Sequence, residues 1–180
     1  MEFYLETENL ILRQFQETDV SHIFELDSNP EVHKYLGNKP ISTYKQAEEI
    51  ISFFLEQYEQ RKIGRFATFE KSSGDFIGWS GLKLNSGNKE ELNGFTKFID
   101  IGYRLIPKFW GKGYATESAT KCLDFGFRAM NYDIIYGAAE TANNGSNKIL
   151  QKIGLKFVND FIFEGSEAKW YELRKSDYGQ

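Results

Sequence analysis

The chain has 180 residues, a formal net charge of −4 and an aromatic content of 16%, enough length and apolar mass to bury one core and too much of it for a disordered chain. A lone cysteine, Cys122, and two histidines, His22 and His33, exclude a disulfide framework and a multi-thiolate metal site, so no metal is expected. The acidic balance argues against a nucleic-acid partner, and no apolar run reaches the ~20 residues of a membrane span.

The stretch Met1 to Glu6 is acidic and lacks the charged-then-apolar order of a secretory leader, so a cytoplasmic location is the expectation. Residues 9–15 read as a strand around the apolar run Leu10-Ile11-Leu12. A short helix is expected over 20–26. A longer one covers 43–61, where Ala47, Ile50, Ile51, Phe54 and Tyr58 form one stripe and Thr43 with Gln46 matches a capping box. Strands follow at 65–70 and 75–84, joined by the hairpin signal Ser72-Ser73-Gly74-Asp75. The polar stretch 85–94 reads as a loop, and 96–105 as a strand stopped by Pro107.

Helical period returns over 113–130. Ala115, Ala119, Cys122, Leu123, Gly126 and Met130 share one face, while Glu117 with Lys121 and Asp124 with Arg128 are spaced for i,i+4 ion pairs. Cys122 on the apolar stripe reads as a small core residue, not a nucleophile. A strand at 134–139, a helix at 144–152 ended by Gly154, and strands at 155–163 and 167–174 complete the chain. The expectation is one mixed α/β (α+β) domain over 1–180, with about seven strands, mostly antiparallel, and about four helices. Strand 96–105, helix 113–130 and strand 134–139 form its parallel crossover, and ligands favour the point where such a sheet opens beyond its strand ends.

The segment with chemical content runs from Ile101 to Glu117: Ile101-Gly102-Tyr103, Pro107, then Trp110-Gly111-Lys112-Gly113-Tyr114-Ala115-Thr116-Glu117. A strand enters a glycine-bearing turn that opens a helix, where the first N–H groups have no helical partner and the helix dipole is positive. That combination suits a pyrophosphate. A dinucleotide fingerprint would need glycine in place of Thr116, and a P-loop would need four residues between its glycines, so neither fits. Two glycines in isolation equally make a structural turn.

The segment resembles the acetyl-CoA-binding core of the GNAT superfamily of N-acetyltransferases, whose pattern Gln/Arg-x-x-Gly-x-Gly/Ala here reads Trp110-x-x-Gly113-x-Ala115. Tryptophan at the first place, with Ile-Gly-Tyr before it, resembles the ribosomal-protein alanine N-acetyltransferase branch. The opening Leu5 to Arg13 and the late Asn143-Asn144-Gly145-Ser146 with Lys152-Ile153-Gly154-Leu155 resemble the same branch. The resemblance implies acetyl-CoA as co-substrate. Backbone of Tyr103 and Leu105 would meet its pantetheine arm. The turn Trp110, Gly111, Lys112, Gly113, Tyr114, Ala115 and Thr116 would hold the pyrophosphate, and Asn143 would orient the thioester. Asn143 and Asn144 also sit where a helix N-cap is needed.

Acetyl transfer needs an amine that loses a proton, a stabilised oxyanion and a protonated thiolate. An α-amino group, with pKa near ~7.7–8.0, is roughly a tenth neutral at pH 7 and depends less on a base than a lysine does. Asp100 is the candidate base, where the related branch often carries Glu; the alternative is a solvated carboxylate or an ion pair with Arg104. Many relatives protonate the thiolate with a tyrosine four residues before the Gly-Phe pair, where this chain has Leu150. Ser146 is the substitute, against a backbone-bonding role at the helix start. Tyr35 and Trp79 are candidates for the acceptor cleft, and His33 reads as exposed. The leading acceptor is a protein or peptide N-terminal amine; a polyamine, an aminoglycoside, or a non-catalytic acyl-CoA sensor are the alternatives, and the aromatic closing strands leave monomer and homodimer both open.

Overall fold

A computed structural model describes residues 3–179. Eight strands form one sheet: β1 (Tyr4–Glu6), β2 (Leu10–Gln14), β3 (Arg65–Glu70), β4 (Phe76–Ser86), β5 (Lys97–Leu105), β6 (Ile134–Glu140), β7 (Lys156–Phe163) and β8 (Ser166–Arg174). Their spatial order is β1-β2-β3-β4-β5-β6-β8-β7. Five helices accompany them: α1 (Val20–Asp27), α2 (Pro30–His33), α3 (Tyr44–Glu56), α4 (Tyr114–Asp124) and α5 (Asn144–Lys152). The expected α+β architecture with one parallel crossover holds, since β5 and β6 pair in parallel through α4 while the other ladders are antiparallel. The additional strand β1 is three residues long and pairs with β2, too short for a periodicity to show.

Alternation along the central strands separates two layers. Trp79 on β4 meets Phe54 of α3 edge-on, and Phe54 stacks on Phe15 at 4.8 Å. On the other face, Cys122 of α4 lies against Ser80, and burial pushes its thiol up to about 12, which suits the expected core role. Helix α3 begins with the capping box read from sequence: Thr43 Oγ1 accepts from the Gln46 N–H, and the Gln46 side chain accepts from the Thr43 N–H. Both α3 and α4 end in π-turns, Gln57–Arg61 and Phe125–Ala129, which account for the longer helical stretches expected there.

A register shift between Thr68 and Phe69 breaks the β3–β4 alternation. Phe76 and Trp79, three residues apart, therefore both join the Phe15–Phe54 cluster. Gly78 sits opposite Thr68 beside this bulge with φ 140°, and a Cβ there would lie 2.1 Å from the Arg104 carbonyl oxygen. Close approach of β4 to β5 thus depends on this glycine.

Three expectations are corrected. Asn85 is not in a loop: β4 continues to Ser86, and the Asn85 side chain is buried because it donates to Asp100. His33 is buried rather than exposed, its ring 3.5 Å from the Asp27 carboxylate. Glu117 turns away from Lys121 to accept the backbone and side-chain N–H groups of Asn9, which lies 108 positions earlier. The Asp124–Arg128 pair forms as expected, at 2.6 Å.

Candidate active site

The site lies where β5 and β6 part. Their ladder is a single register pair, Asp100 opposite Tyr136, whereas β6 remains paired with β8 along its full length. Beyond Asp100, the β5 edge from Ile101 to Leu105 has no ladder partner on the β6 side among the described residues. An extended ligand can add to such an edge as a strand does.

At the end of β5 the chain enters the turn. The Trp110 N–H bonds the Pro107 carbonyl at 2.9 Å, and the first α4 bond runs from the Glu117 N–H to the Gly113 carbonyl at 2.9 Å. Between them, the N–H groups of residues 111–116 have no partner among the described residues. Gly111 and Gly113 hold φ of 74° and 85°. A Cβ at either would meet nothing within 4 Å, so the left-handed backbone demands glycine, not crowding. A row of free donors at the start of an 11-residue helix fits a pyrophosphate, and the open edge of β5 fits the arm that follows it.

The flanking side chains fix this turn. Trp110 is half exposed, and its indole N–H donates to the Leu105 carbonyl at 2.7 Å, tying the strand end to the turn. Tyr114 donates to Glu70, and Lys112 lies 3.7 Å from the same carboxylate and over the Phe109 and Tyr114 rings. Ala115 and Thr116 occupy the first helical turn, where their contribution is the backbone donor.

Strand β5 presents its chemistry on two faces. Toward α3, the Asp100 carboxylate receives Arg65 at 2.6 Å and Asn85 at 2.7 Å. Its expected partner Arg104 pairs instead with Asp27, at 2.7 Å. Burial pushes the Asp27 carboxyl up, but His33 and Arg104 outweigh it and hold the group below the usual carboxylate range. Trp79 lies between the two guanidiniums, each 5.2 Å from its ring. Tyr35 is only partly buried and lies under Lys34.

Gly102 explains how Arg65 reaches Asp100. A Cβ at Gly102 would meet the Arg65 guanidinium carbon at 2.9 Å, so the absent side chain is the seat of the guanidinium. Gly102→Ala is expected to displace Arg65, lower stability by ~1–3 kcal/mol and reduce kcat/KM at least tenfold. Thermal denaturation and steady-state rates check this; wild-type values for both would show that Arg65 does not need this seat.

Toward α5, the Tyr103 hydroxyl donates to the Ser146 carbonyl and lies 3.0 Å from Ser146 Oγ. Burial pushes the Tyr103 phenol up, so it stays protonated. Asn143 accepts the Ser146 N–H through its side-chain oxygen at 3.1 Å, which is the capping role. Leu150 is buried in the core. The Tyr103 hydroxyl escaped the sequence reading because only the fold brings it to Ser146, 43 positions away.

The chain matches the family model "Acetyltransferase (GNAT) domain" over residues 9–156. It is 31% identical to the uncharacterized N-acetyltransferase YoaA of Bacillus subtilis (strain 168), over 84% of this chain and 82% of that one. Among solved structures it resembles a spermidine N-acetyltransferase from Vibrio cholerae in complex with CoA and spermine, with a TM-score of 0.75 and 20% identity over 97% of this chain and 100% of that one. A ribosomal-protein-S5-alanine acetyltransferase from Vibrio fischeri gives 0.76 and 16%, over 99% and 100%.

Proposed function

The chain belongs to the GNAT acetyltransferase family and is an N-acetyltransferase, and from that premise we propose that it acetylates the N-terminal amine of a peptide or protein with acetyl-CoA. The observation that carries the reading is the run of free N–H groups over 111–116 beside the unpaired edge of β5. Relatives named for spermidine and for ribosomal proteins share the fold. The residues around Asp100 favour the second kind of acceptor, because the carboxylates a polycation would need there, Asp100 and Asp27, are already engaged by Arg65 and Arg104.

Acetyl-CoA supplies a thioester whose C–S bond breaks as the N–C bond to the amine forms. The chain's residues divide the proton work across β5. On the α3 face, Asp100 serves as base through a water: Arg65 and Asn85 orient it, and each of its oxygens keeps a second lone pair. On the α5 face, Ser146, held by Tyr103, supplies the proton that the departing sulfur needs. Asn143 holds the Ser146 turn in place. Asp100 and Ser146 thus stand on opposite faces of β5, so the base and the acid approach the one carbon that amine and sulfur share from different sides.

The test is CoA thiol release with Ala- and Ser-terminated peptides, polyamines, aminoglycosides and amino acids as acceptors, against controls without enzyme or acceptor. Peptide-dependent release is expected; no release, with acetyl-CoA still bound by calorimetry, would favour a sensor. Asp100→Asn is expected to cut kcat/KM by ~10²-fold, most at low pH where more of the amine is protonated, with acetyl-CoA affinity unchanged. A variant whose pH profile matches wild type would remove Asp100 from proton transfer and leave it as the partner of Arg65.

A further inference from the structure

A cavity of about 200 Å³ lies between α3 and the face of the sheet that carries Asp100. Its sheet side is formed by Arg65, Trp79, Lys83 and Arg104, and its helix side includes Phe53 and Gln57. Each of the three cations in the lining is engaged by a carboxylate: Arg65 by Asp100 at 2.6 Å, Lys83 by Glu90 at 2.9 Å and Arg104 by Asp27 at 2.7 Å, with His33 also 3.5 Å from Asp27. A polycation entering here would therefore find each of these carboxylates already taken.

Two polar atoms on lining residues have no partner among the described residues. Trp79 Nε1 is a donor and Gln57 Oε1 an acceptor, on residues 8% and 4% exposed. Buried polar groups in native proteins are nearly always bonded, and an orphaned one needs an explanation. An orphan donor beside guanidiniums and an orphan acceptor just past the end of α3, on residues that line one cavity, are complementary to a ligand that carries a carboxylate and an N–H. Gln57 opens the π-turn that follows α3, an irregularity frequent at functional sites.

We propose that this cavity holds the non-reacting end of the acceptor, and that this end carries a carboxylate next to an apolar group. The carboxylate takes the Trp79 indole N–H and the Arg104 guanidinium, whose Nη1 alone is bonded to Asp27. The apolar part lies against Phe53, and an amide or amine N–H reaches Gln57. The acceptors selected are thus short peptides or amino acids with a free carboxylate, and spermidine-like amines are rejected. This rests on the acetylation reading above and names its substrate class.

The experiment compares kcat/KM for Ala-Phe, Ala-Phe-amide, phenylalanine, phenylalaninamide and spermidine. Each acid is expected to exceed its amide at least tenfold, and spermidine to be poorest. Asp27→Asn with Arg104→Gln, which removes both charges and keeps a hydrogen-bonded pair, is expected to erase the acid–amide ratio without changing the Kd for acetyl-CoA. Should that double variant not fold, Trp79→Phe, which removes the indole N–H, is expected to reduce the ratio at least threefold. Equal rates for acid and amide, a preference for spermidine, or a ratio unchanged in a folded variant would overturn the proposal.

Failure of the acetylation reading shows differently, as no thiol release from any acceptor. In that event calorimetric titration of N-acetylphenylalanine and N-acetylphenylalaninamide into the CoA-loaded protein decides the cavity's chemistry. Tighter binding of the acid sustains the carboxylate site, and equal or absent binding overturns it.

Discussion

Gly78→Ala is expected to lower the melting temperature by ~6–12 °C, the shift that ~3 kcal/mol produces in a domain of this size. The methyl would stand 2.1 Å from the Arg104 carbonyl oxygen and 2.7 Å from the Leu105 Cα. Both are backbone atoms, so no rotamer relieves the clash, and β4 must move away from β5. The backbone adds strain of its own, since φ at Gly78 is 140° and L side chains rarely adopt it. The same displacement shifts Arg104 and the strand end that Trp110 ties to the turn, so the surviving folded protein should also lose activity. Thermal denaturation followed by circular dichroism measures the first effect. A shift under 2 °C would mean that the β4–β5 contact yields easily, and the bulge at Thr68 would then not be a fixed feature of the site.

The second large effect falls on the cofactor. Gly111→Val combined with Gly113→Val is expected to weaken acetyl-CoA binding at least ~10²-fold, since left-handed backbone costs a side chain ~1–2 kcal/mol per residue and relaxing it turns N–H groups away from the pyrophosphate. A hundredfold loss is about 2.7 kcal/mol, no more than one or two charged hydrogen bonds. Stability without ligand should fall by no more than this strain, ~2–4 kcal/mol for the two positions, because a Cβ at either meets nothing within 4 Å and adds no clash. Calorimetry with acetyl-CoA and with CoA reads the loss. Wild-type affinity in a variant that still melts cooperatively would move the pyrophosphate away from residues 111–116.

Both glycine pairs show where sequence reading succeeds and where it stops. The turn over 110–116 was legible because its requirements are local: a strand, two residues at positive φ, and a helix start follow each other within a few positions. The capping box of Thr43 and Gln46, the crossover through α4 and the cap on α5 are local in the same way. Gly78 and Gly102 look like any strand glycines, since what they accommodate comes from other strands: the Arg104 carbonyl and the Arg65 guanidinium.

Charge pairing shows the same division. From spacing alone, Asp100 suggested Arg104 and Glu117 suggested Lys121; the folded chain pairs Asp100 with Arg65, Arg104 with Asp27, and Glu117 with Asn9. Spacing predicts an ion pair only when no better donor arrives from elsewhere, and a half-buried carboxylate takes the partner that satisfies it most fully. His33, read as exposed beside Lys34, is buried because Asp27 stands at the end of the preceding helix. The sequence therefore carries the family, the glycine turn over 110–116 and the order of elements, all of which depend on contiguous residues. The cavity between α3 and the sheet and the surroundings of Asp100 are assembled from β3, β4, β5, α1 and α3, and their chemistry exists only once loop closure has brought those segments together.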